Sequence, residues 1–297
     1  MFRLRMQSAG PGQRYNPDVG RRRTVSFQGE KGAFSQVAVQ QLLGPEVEVR
    51  PCQRFEEVFR ALADGDVDAA VVPIENTLHG SVHENYDHLV NFELQIHAET
   101  NVRISHTLIA CPGVPFRKLR RVFSHPVALN QCVTFFRENP QLERVPFYDT
   151  AGSVKMLMEE KPADAAAIAS AIAADLYGAK TLKRGIEDDP SNFTRFFLLK
   201  RPGSRQTRTG EVQWKTSLVF QTRNVSGALF RCLSAFALRD ISCTKIESRP
   251  LRGKPWEYWF YLDFLGRADD EIPQKALGHL SEMADFLRVL GTYPKAV

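Results

Sequence analysis

The order in which strand-like and helix-like stretches follow one another limits this chain more than any single motif. From Thr24 it alternates short apolar strands with amphipathic helices, and it does so in two runs before the rhythm changes. Thr24–Gln28 reads as a strand, broken by Gly29 and Gly32. A helix over about 33–43, a strand over 47–50, a helix over Phe55–Ala63 and a compact apolar strand over 68–73 follow. Ser81, with Glu84 three residues on, has the form of a capping box opening a helix that carries Tyr86, Leu89 and Val90. The second run starts near Ile104. Strands over 104–110, 121–123, 145–148 and 165–168 alternate with helices over 126–137, 151–159 and 170–177, and the strand at Thr194 comes last. Two such runs predict two parallel-sheet lobes of an α/β protein. Ligands of such sheets bind beyond the carboxyl ends of the strands, so the cleft between the lobes is the expected site, with hinge closure over it.

Residues 201–210, RPGSRQTRTG, carry no apolar period and read as a linker. Beyond them the order is strand, helix, two strands paired around the turn RGKPW, helix and strand. That βαββαβ order predicts a ferredoxin-like module.

Composition excludes several classes. With 43% hydrophobic and 25% charged residues the chain is globular rather than disordered. No apolar run approaches about 18 residues, so no membrane span is expected. The formal charge of +5 sits in the first 23 residues, where six arginines face one aspartate. The remaining body is neutral and has no overall basic excess for nucleic acid. That Arg-rich, acid-poor tail is expected to be disordered, either an extension of the reading frame or a trimmed targeting peptide. The five cysteines, Cys52, Cys111, Cys132, Cys232 and Cys243, are odd in number and contain no CxxC. They signal neither a metal site nor a disulfide framework, and they suit the cytoplasm or a plastid-like stroma.

Five segments fall at strand ends: 29–35 (GEKGAFS), 73–77 (PIENT), 124–126 (SHP), 149–152 (DTAG) and 192–199 (NFTRFFLL). Each has an ordinary explanation. The GxxG loop makes a tight turn, Glu75 and Asn76 cap a loop, Ser124 and Thr150 are common N-cap residues, and His125 is a loop histidine before Pro126. Gln131 and Cys132 follow on the next helix, facing core or cleft. Joint placement around one cleft is what carries meaning, because helix N-termini there offer N–H donors to carboxylates. In the last segment, alternation sends Thr194 and Phe196 to one face and Arg195 and Phe197 to the other.

At these residues the chain resembles a known family. VSFQGEKGAFS, VVPIENTLHGSV, FSHPVALNQC, DTAGSVK, AAIASAIAADLYG and NFTRFFLL, with GALF at 227–230 and ESRP at 247–250, are similar in order and spacing to prephenate dehydratases with a fused ACT regulatory domain. The resemblance implies a bilobed, periplasmic-binding-protein-like catalytic domain over 24–201, a linker over 202–213 and an ACT domain over 214–292, after the tail at 1–23. It implies conversion of prephenate to phenylpyruvate, carbon dioxide and water, without metal or organic cofactor; GEKGAF also lacks the GxGxxG dinucleotide pattern.

By the same resemblance Thr194 donates to the departing hydroxyl, Arg195 is its partner residue, and Glu75 holds a proton in the closed cleft. Asn76, Thr77, Ser124, His125, Gln131, Thr150, Ala151, Gly152, Asn192 and Phe196 surround the substrate. Gly227, Ala228, Leu229, Phe230, Glu247, Ser248, Arg249 and Pro250 are the expected effector site for L-phenylalanine, shared between copies in a homodimer or homotetramer. Thr77, Phe34, Val127, Ser153 and Phe230 depart from the family's usual Ser, Tyr, Gln, Ala and Val. Two alternatives stay open: dehydration of arogenate directly to phenylalanine, and a non-catalytic amino-acid sensor on the same scaffold.

Overall fold

The computed structural model describes residues 23–204 and 212–296. The tail as far as residue 22 and linker residues 205–211 lie outside them. The first run forms β1 (Thr24–Gln28), α1 (Phe34–Leu43), β2 (Glu48–Cys52), α2 (Phe55–Ala63), β3 (Ala69–Asn76), the two-residue β4 (Gly80–Ser81), α3 (His83–Asn91) and β5 (Gln95–Arg103). The second forms β6 (Thr107–Ala110), β7 (Arg121–Ser124), α4 (Pro126–Asn130), α5 (Val133–Glu138), β8 (Glu143–Pro146), α6 (Thr150–Glu160), β9 (Ala165–Ala169), α7 (Ala171–Tyr177) and β10 (Lys180–Arg184). The chain then crosses back. Strand β11 (Phe193–Lys200) enters the first sheet, whose order is β2-β1-β3-β11-β5, while the second sheet runs β10-β6-β9-β7-β8.

Two parallel sheets were expected, and both are mixed. Strands β1, β2 and β3 are parallel, but β11 lies antiparallel between β3 and β5. In the second lobe β6 pairs antiparallel with β9 and β10. Strands β5 and β10 escape a hydropathy reading because QIHAETNVR and KTLKR are polar at most positions. The expected helix over 126–137 is broken at Gln131–Cys132, and the Asp188 carboxylate accepts from the Val133 and Thr134 amides to start α5 afresh. The capping box does not form: α3 starts at His83 with Val82 before it, and the Ser81 hydroxyl instead donates to Glu247 at 2.7 Å.

The lobes meet along a shared core containing Val25, Phe27, Ile109, Ala167 and Phe196. Gly32 needs its missing side chain there. Its φ is +90°, and a Cβ would lie 2.8 Å from the Ala173 Cα. Ser170 donates to the Gly32 carbonyl at 2.5 Å across the same seam.

The third unit contains β12 (Trp214–Gln221), α8 (Ala228–Ala237), β13 (Cys243–Pro250), β14 (Tyr258–Leu265), α9 (Glu271–Met283) and β15 (Phe286–Pro294). Its sheet order, β13-β14-β12-β15, is that of a ferredoxin-like module, and every neighbouring pair is antiparallel. One face of the sheet carries the helices on Leu218, Phe220, Leu262 and Phe264. The other packs Val219, Tyr261, Leu290 and Tyr293 into the core of the first lobe beside Ile74, Leu89 and Phe197. At Gly291 the β15 backbone approaches so closely that a Cβ would collide with the Ile96 carbonyl.

Candidate active site

The register of β3 against β11 sets the site. Thr194 lies opposite Asn76, and Arg195 opposite Glu75. Alternation therefore gives this strand pair two chemically different faces.

Thr194 and Asn76 face the interlobe cleft. A cavity of about 270 Å³ lies there, with Phe34, Ile104 and Phe196 as apolar wall and Asn76, His79, His106, His125, Gln131, Thr150 and Thr194 as polar lining. No lysine or arginine is among the residues lining it. Asn76 organises the floor. Its Nδ2 donates to Thr194 Oγ1 at 2.9 Å, to Asn192 Oδ1 at 2.7 Å and to the Phe193 carbonyl at 3.1 Å. Because Oγ1 accepts from an amide, its own hydrogen is free to point into the cavity. Asn192 is buried, and its Nδ2 has no protein partner.

The far wall comes from the second lobe. Gln131, the residue that breaks the expected helix, places Oε1 2.7 Å from His106 Nε2 and Nε2 3.2 Å from His79 Nδ1. This is a contact between lobes, since His79 sits in the β3–β4 turn. Burial holds the His106 imidazole below the ordinary histidine range, against the opposing Gln131 hydrogen bond, so His106 is a neutral group at neutral pH. Thr150 opens α6, whose cap is the Asp149 carboxylate accepting from the Gly152 amide at 2.7 Å.

Several expected site residues lie elsewhere. Ser124 is fully buried and donates to the Ile168 carbonyl at 2.6 Å. Thr77 ties the end of β3 to the start of β11, donating to the Ser191 carbonyl and accepting from the Phe193 amide. Ala151 is buried, and Gly152 packs against the Tyr148 hydroxyl, where a Cβ would lie at 2.8 Å.

Glu75 and Arg195 leave the cleft entirely. Glu75 lies 2.9 Å from Lys245 and 4.0 Å from Arg195. Arg195 donates to Glu99 and Asp263, each at 2.7 Å, and to the Tyr293 hydroxyl at 3.0 Å. Burial works against its charge, but Asp263, Tyr293 and Glu99 together hold its pKa well above the ordinary value. Neither side chain lines the cavity, because the third unit covers the face of the sheet to which they point.

A second cavity, about 460 Å³, lies on the third unit between the start of α8 and the strands. Gly227, Ala228, Leu229, Phe230, Ser248, Tyr258 and Phe260 line it. Gly227 has φ +76° and caps α8, a conformation that favours glycine. Of the ESRP stretch, Ser248 alone lines this cavity. Glu247 and Arg249 alternate to the opposite face, where they meet Ser81 and Asp87 of the first lobe, and Pro250 pairs with Tyr258 at the end of β13.

The profile of the prephenate dehydratase family matches residues 25–204. The chain belongs to the prephenate dehydratase family. It is 44% identical over 288 residues to arogenate dehydratase/prephenate dehydratase 2, chloroplastic, of Arabidopsis thaliana, covering 93% of this chain and 74% of that protein. The solved prephenate dehydratase of Arthrobacter aurescens in complex with L-Phe superposes with a TM-score of 0.83 at 34% identity, covering 92% of this chain and 90% of that one. A protein described as GqqA, a novel type of quorum quenching acylase, superposes with a TM-score of 0.84 at 33% identity over 92% and 98% of the two chains. Like other members of the prephenate dehydratase family, the chain is a lyase. His79 and His106 were not foreseen as cleft residues. His79 had one signal, its place three residues after Asn76 in a strand-end loop; His106 had none, because its burial depends on Phe34 and Gln131.

Proposed function

We propose that the interlobe cavity carries out the decarboxylative dehydration of prephenate to phenylpyruvate, with arogenate as the alternative substrate. The reaction breaks the bond from the ring to its carboxylate, which leaves as carbon dioxide. That electron pair enters the ring, and the hydroxyl on the opposite ring carbon leaves with its own pair and a proton, as water. Aromatisation drives the step. The protein must grip an apolar ring, hold two carboxylates and supply a hydrogen to the departing oxygen. Phe34, Ile104 and Phe196 suit the ring. Thr194 suits the oxygen, and the observation that carries the reading is the Asn76–Thr194 hydrogen bond, which leaves the hydroxyl hydrogen free for the cavity. Such positioned donation contributes typically about 10²–10⁴-fold.

Carboxylate binding here rests on neutral groups such as Gln131 and Thr150, which bind anions without desolvating a further buried charge. The arogenate reading is supported equally, because the Arabidopsis relative is named for both substrates. Acyl transfer is not favoured: the partner of Thr194 Oγ1 is an amide donor, which cannot take its proton.

In this reading residues 24–201 form the catalytic unit and 214–292 the regulatory one. L-phenylalanine occupies the cavity beside Gly227, whose turn presents backbone N–H groups to a carboxylate. Phe230 is 75% exposed at its rim, in keeping with a site completed by a second copy in a dimer or tetramer. Work in the cytoplasm or in a plastid stroma fits the five free cysteines. The test is turnover of each substrate by purified protein, followed as phenylpyruvate absorbance and released phenylalanine, with and without added phenylalanine. Turnover of neither would refute the proposal.

A further inference from the structure

The strand pair that carries Asn76 and Thr194 towards the cleft carries Glu75 and Arg195 towards the third unit. The two faces are one residue apart. On the hidden face Arg195 reaches Asp263 of β14 at 2.7 Å and Tyr293 of β15 at 3.0 Å, and Glu75 reaches Lys245 of β13 at 2.9 Å. The Arg195 half of the cluster is closed, while the Glu75 side chain stays 38% exposed. Glu99 takes both Arg195 and Lys215 at 2.7 Å, and Asp263 also accepts from Ser217. Its members Glu99, Asp263, Lys215 and Tyr293 are all buried.

The strands that grip from behind also line the effector cavity. Ser248 faces that cavity from β13, between Glu247 and Arg249 on the hidden face. Phe260 faces it from β14, three residues before Asp263. A shift of β13 or β14 therefore moves Lys245 or Asp263, and each holds a side chain next in sequence to a residue on the cavity floor. The buried Arg195–Asp263 pair transmits such a shift well, because losing one partner strands a charge out of water.

We infer that Arg195 and Glu75 are positioning residues: through Asp263 and Lys245 the regulatory sheet sets the placement of Thr194 and Asn76, and effector binding reaches the reaction by this route. The coupling half rests on the effector reading above, and the positioning half does not.

The test uses the full chain. Asp263→Asn and Lys245→Met are expected to lower kcat at least about tenfold with KM within about threefold, as for a catalytic group displaced but not removed. Arg195→Lys, which keeps the charge, is expected to recover part of the kcat lost in Arg195→Met. Calorimetry is expected to show phenylalanine binding to Asp263→Asn with parent-like affinity, while maximal inhibition falls to less than half. Thermal melts identify any variant that fails to fold, and the remaining ones carry the test. Unchanged kcat in folded Asp263→Asn and Lys245→Met overturns the positioning role. Full inhibition in both, with phenylalanine bound, overturns the coupling route. Absence of phenylalanine binding in the parent protein refutes the effector reading instead, and the kcat comparison then decides the positioning role alone.

Discussion

Exchanging Asn76 for aspartate separates its two jobs. Asn76 Oδ1 accepts from the backbone amides of Leu78 at 3.0 Å and His79 at 2.9 Å, which shapes the turn after β3. Its Nδ2 donates to Asn192, Phe193 and Thr194. Asn76→Asp keeps the first set, since a carboxylate oxygen accepts as readily, and deletes the second. Two hydrogens served those acceptors, so about two hydrogen bonds are lost at roughly 1 kcal/mol each. Melting should fall by roughly 4–8 °C. The kinetic loss is larger. The Thr194 hydroxyl now donates to the new carboxylate rather than into the cavity, and a charge sits beside an anionic substrate. A fall in kcat of at least about a hundredfold follows, or about 2.7 kcal/mol on the barrier. The introduced carboxyl, partly buried among acceptors, has its pKa raised, and once protonated it is a donor again. Activity of the variant should therefore recover as the pH falls from about 8 towards about 5, relative to the parent protein. Phenylpyruvate absorbance and released phenylalanine measured across that range decide it. A kcat within about threefold of the parent throughout would refute the assigned role of the Asn76 amide.

Three further outcomes are expected. Thr194→Ala lowers kcat at least about a hundredfold with a modest change in KM, and an equally active variant removes Thr194 from the mechanism. Gly291→Ala drives a methyl into the Ile96 carbonyl and to 2.8 Å from the Ile96 Cβ, so it should cost about 1–3 kcal/mol; an unchanged melting temperature would contradict the close packing of β15 on β5. Burial, helped by Lys200, pushes the His97 imidazole down to about 4. The unfolded chain, with an ordinary pKa of about 6.5, then binds more protons, so stability falls as the pH drops from about 6.5 towards about 4. His97→Gln should flatten that part of the pH–melting curve, and an unaltered slope would assign the loss to other groups.

Alternation within β11 was legible from the sequence, and it separates Thr194 and Phe196 from Arg195 and Phe197 as the structure does. What lay behind the strand was not. The hidden face of β3 and β11 is covered by the third unit, whose Asp263 lies 68 positions from Arg195, so Glu75 looked like a cleft carboxylate when it is a partner of Lys245. The same cause misplaced Glu247 and Arg249. Motif reading took ESRP as one site, although a strand cannot turn four consecutive side chains to one face. Ser81 shows a local rule losing to a distant partner, because its hydroxyl goes to Glu247 rather than to a helix amide. The βαββαβ rhythm was readable because α8 and α9 each bury one face and β14, YWFYLDFL, is a largely apolar run. Strand β5 was not, because its neighbours β11 and β15 bury positions that read as polar.

The buried charges between the units need an explanation other than stability. Apolar contact already supplies attraction, with Val219, Tyr261, Leu290 and Tyr293 seated on the first lobe. Desolvating Arg195, Lys215, Glu99 and Asp263 works against docking, and an apolar set of similar volume would often dock as well or better. What charges add is intolerance of misalignment. A slide of the third unit's sheet by one strand residue would turn Asp263 away and leave Arg195 buried without one of its carboxylates, a loss of about 3–5 kcal/mol for a broken buried pair. The apolar patch alone would resist such a slide weakly, because hydrophobic contact is non-directional. The network therefore acts as a register lock, and the residue it locks most tightly, Arg195, is the neighbour in sequence of Thr194.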